Sequence, residues 1–256
     1  MVHTGRVAIV TGAASGIGRA ATEIFTTTGG SVVAVDRDLD QLDWAEGHDR
    51  IEVFGGDVST PETNEAAVAL ARSSFGRLDA MVLNAGIAMS GDLIDQPMED
   101  FERSLAVNVK AVVLGVRAAT PTMLETSDGG AFCVTASTSG LRGDPGMWAY
   151  NTAKGAVVNY VRSAALDLGP MGLRINAVAP GPTETGMTAR LKEIPEAYEQ
   201  LRQRMPIQRW ARADEVAQVI SFLISPAASV VTGAIVPADG GISANTGQFL
   251  PGPRPT

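Results

Sequence analysis

The chain has 256 residues and carries 20 basic against 28 acidic side chains, a net charge of -8. That balance argues against a nucleic-acid binder, which needs a basic stripe to meet phosphates. One cysteine excludes an internal disulfide and a Cys-based metal centre, and two histidines (His3 and His48) count against a His-rich metal site or a Ser-His-Asp triad.

Hydrophobic residues at 45% and charged residues at 19% are globular proportions. No apolar run reaches the length of a membrane span; Lys110 interrupts the longest, residues 105–116. Residues 1–6 run directly into an apolar strand without a charged-then-apolar leader, so a cytoplasmic chain is expected. Strand-like runs lie at residues 6–11, 31–35, 51–54, 78–83, 131–136, 174–179 and 234–237. Most are Val, Ile and Ala without polar alternation, as in strands covered on both faces. Residues 17–28, 61–75, 101–125, 150–168 and 214–223 read as helices. This alternation predicts a doubly wound, Rossmann-like α/β fold: a parallel sheet between two helical layers, with right-handed crossovers. No repeat or linker is visible, so a single domain is expected over 1–243. The tail, 244–256, carries Pro251, Pro253 and Pro255 and should be irregular.

The first strand ends in Thr11-Gly12-Ala13-Ala14-Ser15-Gly16-Ile17-Gly18, and a helix follows. Glycines there let the backbone turn tightly and approach a pyrophosphate, which rests on the free amides of the helix N-terminus. Gly12, Ser15, Gly16, Ile17 and Gly18 are therefore candidate cofactor ligands. Their Gly-x3-Gly-x-Gly spacing departs from the commoner Gly-x-Gly-x2-Gly. Asp36 ends the second strand, 18 residues after Gly18. A carboxylate there accepts both hydroxyls of an adenosine ribose and repels a 2′-phosphate, so NAD is expected over NADP. Arg37 opposes that reading, because a guanidinium attracts phosphate. After the third strand, Asp57 is either an adenine contact or a turn-former, and Val58 a surface for the adenine ring. The small residues of Asn84-Ala85-Gly86 let the backbone after the fourth strand run beside the cofactor.

Tyr150 and Lys154 stand four apart at the start of a helix, on one face. A phenol titrates near about 10 unperturbed; an adjacent ammonium favours the phenolate and pulls the pKa toward neutrality. Ser137, 13 residues before Tyr150, ends the fifth strand, where a hydroxyl can bond a substrate oxygen; Thr138 and Ser139 are rivals for that role. Asn108 lies inside an apolar helix, as a satisfied core amide or as a bend holding a water toward Lys154. Cys133, within a buried run, reads as a core residue.

Taken together, these residues resemble the short-chain dehydrogenase/reductase superfamily, of the smaller single-domain type. The matching residues are 11–18, Asp57, Asn84-Ala85-Gly86, Asn108, Ser137, Tyr150-x3-Lys154 and Pro180-Gly181-x3-Thr185, covering nearly the whole chain. The resemblance implies Tyr150 as general acid/base and Lys154 as the nicotinamide-ribose ligand that lowers the Tyr pKa. It implies Ser137 as the substrate-orienting hydroxyl and Asn108 as the end of a proton relay. Pro180, Gly181, Thr183 and Thr185 fall where the family holds the carboxamide and pyrophosphate. Leu83 departs from the family, which has a second Asn there. The function expected is NAD-dependent interconversion of a secondary alcohol and a ketone, on a small, largely apolar or cyclic substrate. The alternatives are a non-catalytic NAD sensor and an NADPH-type acyl-thioester reductase, the latter opposed by Asp36 and the acidic balance.

Loops after the fifth and sixth strands lie at the carboxyl edge of the sheet, where such folds bind ligands. The first offers Leu141, Met147 and Trp148. The second, residues 187–205, places Met187, Leu191, Ile194, Tyr198 and Met205 as on one amphipathic helix, a substrate lid. Residues 103–124 carry only Arg103, Lys110 and Arg117 as charges, and residues 150–168 only Lys154, Arg162 and Asp167. Helices so short of charge meet another subunit, so a homotetramer built on a four-helix contact is expected, as the resemblance also implies.

Overall fold

The computed structural model describes residues 2–252. Seven parallel strands form one sheet: β1 (Val7–Thr11), β2 (Ser31–Asp36), β3 (Ile51–Gly55), β4 (Ala80–Leu83), β5 (Ala131–Thr135), β6 (Arg174–Pro180) and β9 (Ile235–Ala238). Their order is β3-β2-β1-β4-β5-β6-β9. The chain thus winds outward in one direction from β1 and in the other from β4. The two are neighbours, with Ala8 opposite Ala80 and Val10 opposite Val82. The expected doubly wound architecture is present.

Alternation along the strands builds two unlike cores. Ile9, Val33, Met81, Leu83, Phe132 and Ile175 face one side. There they meet α2 (Pro61–Phe75), α4 (Ala111–Thr126) and α5 (Trp148–Leu168). Ala8, Val10, Ala34, Ala80, Ala131 and Cys133 face the other, beneath α1 (Gly16–Thr27) and α8 (Ala213–Leu223). Larger side chains hold the first helical layer away; small ones let the second come close. Cys133 is fully buried and its thiol is pushed up to about 12 by desolvation, an inert core group as expected.

At the amino edge of the sheet, charge serves packing. Arg6 donates to the carbonyl of Ile224 at 2.7 Å, and Arg174 to those of Leu223 (2.9 Å), Val231 (3.1 Å) and Ser225 (3.1 Å). Two guanidiniums therefore close the C-terminal end of α8, whose last carbonyls have no helical partner. Asp79 accepts the Val7 amide (2.9 Å) and both arms of Arg77 (2.6 and 2.8 Å). His3 is fully buried and stacks on Phe25 at 4.2 Å. Arg6 donates to its Nδ1 at 3.3 Å, which leaves Nε2 to donate to Ser221 Oγ at 2.9 Å. Burial first, then Arg6, pushes the imidazole pKa down to about 4.

The structure corrects three expectations. The helix expected at 101–125 is α3 (Met98–Leu105), a π-helical turn (Ala106–Lys110) and α4. Asn108 sits in that turn and takes the Ser104 carbonyl at 3.1 Å, where an ordinary helix satisfies such groups by backbone alone. The lid expected as one helix is α6 (Ala189–Lys192) and α7 (Pro195–Arg204), parted before Pro195, whose missing N–H and ring start a new helix. Its apolar residues also diverge: Met205 is fully buried, while Met187, Leu191 and Ile194 are exposed. A two-residue ladder, β7 (Thr183–Glu184) with β8 (Ala211–Arg212), was not foreseen; two residues are too few for a periodic signal. The tail continues through a short turn (Ile242–Ala244) with Pro251 described, while Pro253 and Pro255 lie outside the described residues.

Candidate active site

β1 and β4 part company at their carboxyl ends, the point where a doubly wound sheet opens a crevice. Thr11 closes β1, and its Oγ1 accepts the amides of Asn84 (3.0 Å) and Ala85 (3.1 Å). The Gly-rich turn is pressed against this corner. Gly12 has φ 67°, and a Cβ there would lie 2.9 Å from Ala85 Cα; one on Gly18 would run into the Gly12 carbonyl oxygen. Only glycine permits this closeness. Ser15 is extended at the N-cap of α1 and its hydroxyl makes no capping bond; Ile17 packs partly buried beside the second core. The first-turn amides of α1 are thus left without a side-chain cap, as an anion seat requires.

Asp36 ends β2 as expected, and its Oδ2 accepts the Ala14 amide at 3.0 Å, tying the carboxylate to the Gly-rich turn. Arg37 is exposed beside it. Asp57 forms the turn that was its alternative reading: Oδ1 accepts the Ser59 amide at 2.9 Å, and that bond leads the causes holding its pKa low. Val58 is buried in the larger core with Ala111 and Val112.

Asn84 does more than the backbone duty expected of it. Its Nδ2 donates to the carbonyls of Thr11 (3.1 Å) and Gly12 (3.3 Å), and its Oδ1 accepts Thr135 Oγ1 at 3.0 Å. One amide therefore joins the ends of β1, β4 and β5. Asn108 is buried and satisfied: Nδ2 donates to the Ile87 carbonyl (3.0 Å) and Ser104, and Oδ1 accepts the Ile87 amide (3.3 Å). Gly86 leaves the room these groups need, since a Cβ there would lie 2.8 Å from Asn108 Oδ1 and 3.5 Å from Lys154 Nζ.

Tyr150 and Lys154 are both buried on α5, with Nζ 5.7 Å from the centre of the phenol ring. Nζ donates to the Thr135 carbonyl at 2.8 Å, which fixes α5 to the end of β5. Burial pushes the ammonium down to about 8. The phenol moves opposite to expectation. Burial raises its pKa, a hydrogen bond with Ser137 lowers it, and the Asp144 carboxylate raises it further. The reason is that a buried phenolate loses more hydration than Ser137 returns. Among the rival hydroxyls, Ser137 is the one that acts on the Tyr150 phenol, while Ser139 donates to Asp144 Oδ2 at 2.6 Å.

The loop after β6 returns to the same crevice. Gly181 packs on Asp239, and Thr183 Oγ1 donates to the Gly181 carbonyl at 2.9 Å. Pro180 closes β6, and a Cβ on Gly16 would lie 3.1 Å from Thr185 Cγ2, so Thr185 meets the Gly-rich turn. Trp148 stacks on Phe101 at 5.2 Å, and Tyr198 of α7 on Trp210 at 4.8 Å. Leu141 packs against the larger core rather than toward a substrate. What sequence reasoning missed is how Thr11 and Thr135 tie the strand ends together and that Ser139 is bonded to Asp144; a hydroxyl ending an all-apolar run was the available signal for the first two.

A family model described as enoyl-(acyl carrier protein) reductase matches residues 12–243. A 2-(R)-hydroxypropyl-CoM dehydrogenase of Xanthobacter autotrophicus is 38% identical over 248 residues, covering 93% of this chain and 99% of that protein. A solved structure from Brucella melitensis, described as a short-chain dehydrogenase/reductase of glucose/ribitol dehydrogenase type, superimposes with TM-score 0.87 at 33% identity, covering 93% and 97% of the two chains. A 3-ketoacyl-(acyl-carrier-protein) reductase of the same organism, complexed with NADH, gives TM-score 0.87 at 33% identity over 94% and 99%.

Proposed function

The chain belongs to the short-chain dehydrogenase/reductase superfamily and is a nicotinamide-dependent oxidoreductase of alcohols and ketones, and on that footing we propose that it interconverts a secondary alcohol and a ketone with NAD, using Tyr150 as general acid/base. The observation that carries this reading is the buried Tyr150–Lys154 pair with the buried Ser137 acting on the phenol. The donor set fits the cofactor. The first-turn amides of α1 receive a pyrophosphate, with Gly12, Ser15, Gly16, Ile17 and Gly18 shaping the approach and Thr185 closing over it. Asp36, with Arg37 exposed next to it, would accept ribose hydroxyls, while Asp57 and Val58 shape the turn after β3 rather than touch the adenine. Asn84, Ala85, Gly86, Pro180, Gly181 and Thr183 wall the nicotinamide half. When bound, the nicotinamide ring supplies or takes the hydride.

The rest is the protein's work. Ser137 holds the substrate oxygen against Tyr150. In reduction the phenol gives its proton to that oxygen; in oxidation the phenolate receives it. The Lys154 ammonium, held on Thr135, stabilises the phenolate and binds the nicotinamide ribose. Asn108, its amide engaged by Ile87 and Ser104, keeps the wall beside Lys154 in place. Because oxidation needs the phenolate and reduction the phenol, alcohol oxidation rises with pH and ketone reduction falls, and burial moves that window to higher pH.

Residues 1–243 act as one catalytic domain, with 187–205 as the substrate lid. Leu93, Ile94, Met187, Leu191 and Ile194 are exposed on the loops after β4 and β6, which suits a small, largely apolar or cyclic substrate. Among the described residues no helix is long and apolar enough to cross a membrane, and we place the enzyme in the cytoplasm. A groove between α4 and α5, about 360 Å³ and lined by Val116, Tyr160, Ala164 and Leu168, supports pairing of these helices in a homotetramer. A second reading, acyl-thioester reduction, has the family description and the 3-ketoacyl reductase neighbour behind it; a net charge of -8 opposes docking of an acidic carrier.

The test is a screen of secondary alcohols, cyclic diols and one acyl thioester with NAD(H) and NADP(H), on a sample whose mass is measured by light scattering. NAD-linked alcohol turnover by a four-chain particle is expected. Preference for NADPH with the thioester would replace the reading, and a 26.6 kDa particle would remove the tetramer.

A further inference from the structure

The loop between β5 and α5 carries a carboxylate that the chemistry above does not use. Asp144 Oδ2 accepts Ser139 Oγ at 2.6 Å, and the Asp144 carbonyl accepts Asn151 Nδ2 of α5 at 2.8 Å. Ser139 is only 8% exposed. Its amide donates to Ser137 Oγ at 3.1 Å. The turn is seated firmly on α5, because a Cβ on Gly140 would lie 2.5 Å from the Lys154 carbonyl oxygen. The loop's far end is held as well, with the Gly91 amide donating to the Gly146 carbonyl at 2.9 Å.

A serine hydroxyl has one proton and two acceptor directions, so an amide fixed on one of them decides where the others point. The Ser139 amide occupies one such direction of Ser137, which leaves the hydroxyl proton and the other direction to act on the Tyr150 phenol. Thr138 has no part in this chain of contacts. We propose that Asp144 is a positioning residue: by holding the Ser139 hydroxyl it keeps the Ser139 amide on Ser137, and so keeps the Ser137 hydroxyl beside Tyr150. The inference rests on the reading of Tyr150 as the acid/base. Two charged groups act on that phenol: Lys154, buried on its own helix, and Asp144, exposed on this loop. Asp144 therefore has two separable effects, one through the hydrogen-bond chain and one through its charge, which opposes the phenolate.

The experiment uses the whole enzyme, with steady-state oxidation measured across pH for Asp144→Ala, Asp144→Asn, Ser139→Ala and the Asp144→Ala/Ser139→Ala double variant. Asp144→Ala and Ser139→Ala should each lower kcat roughly tenfold, a fraction of the 100-fold that about 1 Å of misplacement can cost. The double variant should be no worse than either, since both break one chain. Asp144→Asn keeps an acceptor for Ser139 and should recover most of the loss, while its acid limb moves to lower pH. Ser139→Ala keeps the charge, so its limb should not move that way. Losses that multiply in the double variant, or an Asp144→Ala enzyme with wild-type kcat and limb, overturn the proposal. Tyr150→Phe is measured beside them: if it is inactive while the loop variants are normal, only this inference fails. If it turns over normally, the reading of Tyr150 fails first.

Discussion

The two edges of the sheet use their cations in opposite ways. At the amino edge, Arg174 makes three hydrogen bonds to backbone carbonyls, and Arg6 joins the end of α8 to His3 and Asp79. At the carboxyl edge, Lys154 is 4% exposed and has three donors, yet among the described residues it makes one hydrogen bond, to Thr135. The first edge satisfies its charges by capping a helix and holding strands. The second leaves donor capacity on Lys154 and raises the Tyr150 pKa by burial. A buried cation with few partners is costly to stability, and it is useful where a proton must move. Packing strength and chemical readiness thus lie at opposite ends of the same strands.

Variants at each edge should separate these two properties. The largest effect is expected from Tyr150→Phe, which keeps the ring and removes the proton. Turnover should fall at least about 100-fold with the melting temperature nearly unchanged, checked by steady-state assay and calorimetry. A large loss of melting temperature would show that the carboxyl edge also carries packing strength.

Next comes Arg174→Ala. It strands the carbonyls of Leu223, Ser225 and Val231 and should cost about 3 kcal/mol, a drop in Tm of roughly 6–12 °C for a chain of this size. kcat measured well below the new Tm should stay near wild type. A tenfold loss of kcat without loss of stability would break the comparison.

The smallest effect concerns His3. Its folded pKa of about 4 lies below the ordinary imidazole value of 6.5. The unfolded chain therefore binds more protons between those values, and the contribution of neutral His3 is complete above pH 6.5 and lost as pH falls toward 4. Urea midpoints from pH 7 to 4 should fall more steeply for wild type than for His3→Gln. Parallel curves would show that the buried imidazole has no part in acid sensitivity.

The strands and the helix of Tyr150 and Lys154 were legible because they rest on runs of apolar residues and on spacing. Seven strands lie where Val, Ile and Ala cluster, with ends displaced by at most two residues, as at Ala80. The glycines at 12, 16 and 18 were legible because close backbone approach has no substitute. Three kinds of feature were hidden. The π turn at Asn108 depends on a partner, Ile87, far away in sequence. The lid's division depends on Pro195 overriding an amphipathic pattern. The rise in the Tyr150 pKa depends on how much water is removed, which neighbouring residue types do not reveal. Arg37, Asp57 and Val58 stand in the expected stretch, but Asp57 closes a turn and Val58 sits in the core.

The alanines beneath α1 extend the reach of selection. Ala8 and Ala34 are fully buried in the alanine-rich face against which Ala21 and Phe25 of α1 pack. Their size sets how high the helix rides above the strands, and hence where its first amides end up relative to Asp36 and Thr185. A methyl-to-isopropyl change at either position would raise the helix and shift an anion seat that neither residue touches. Cofactor affinity is in that sense a property of spacing, encoded in the least reactive side chains of the protein, and drift among them is read out at the far end of the sheet.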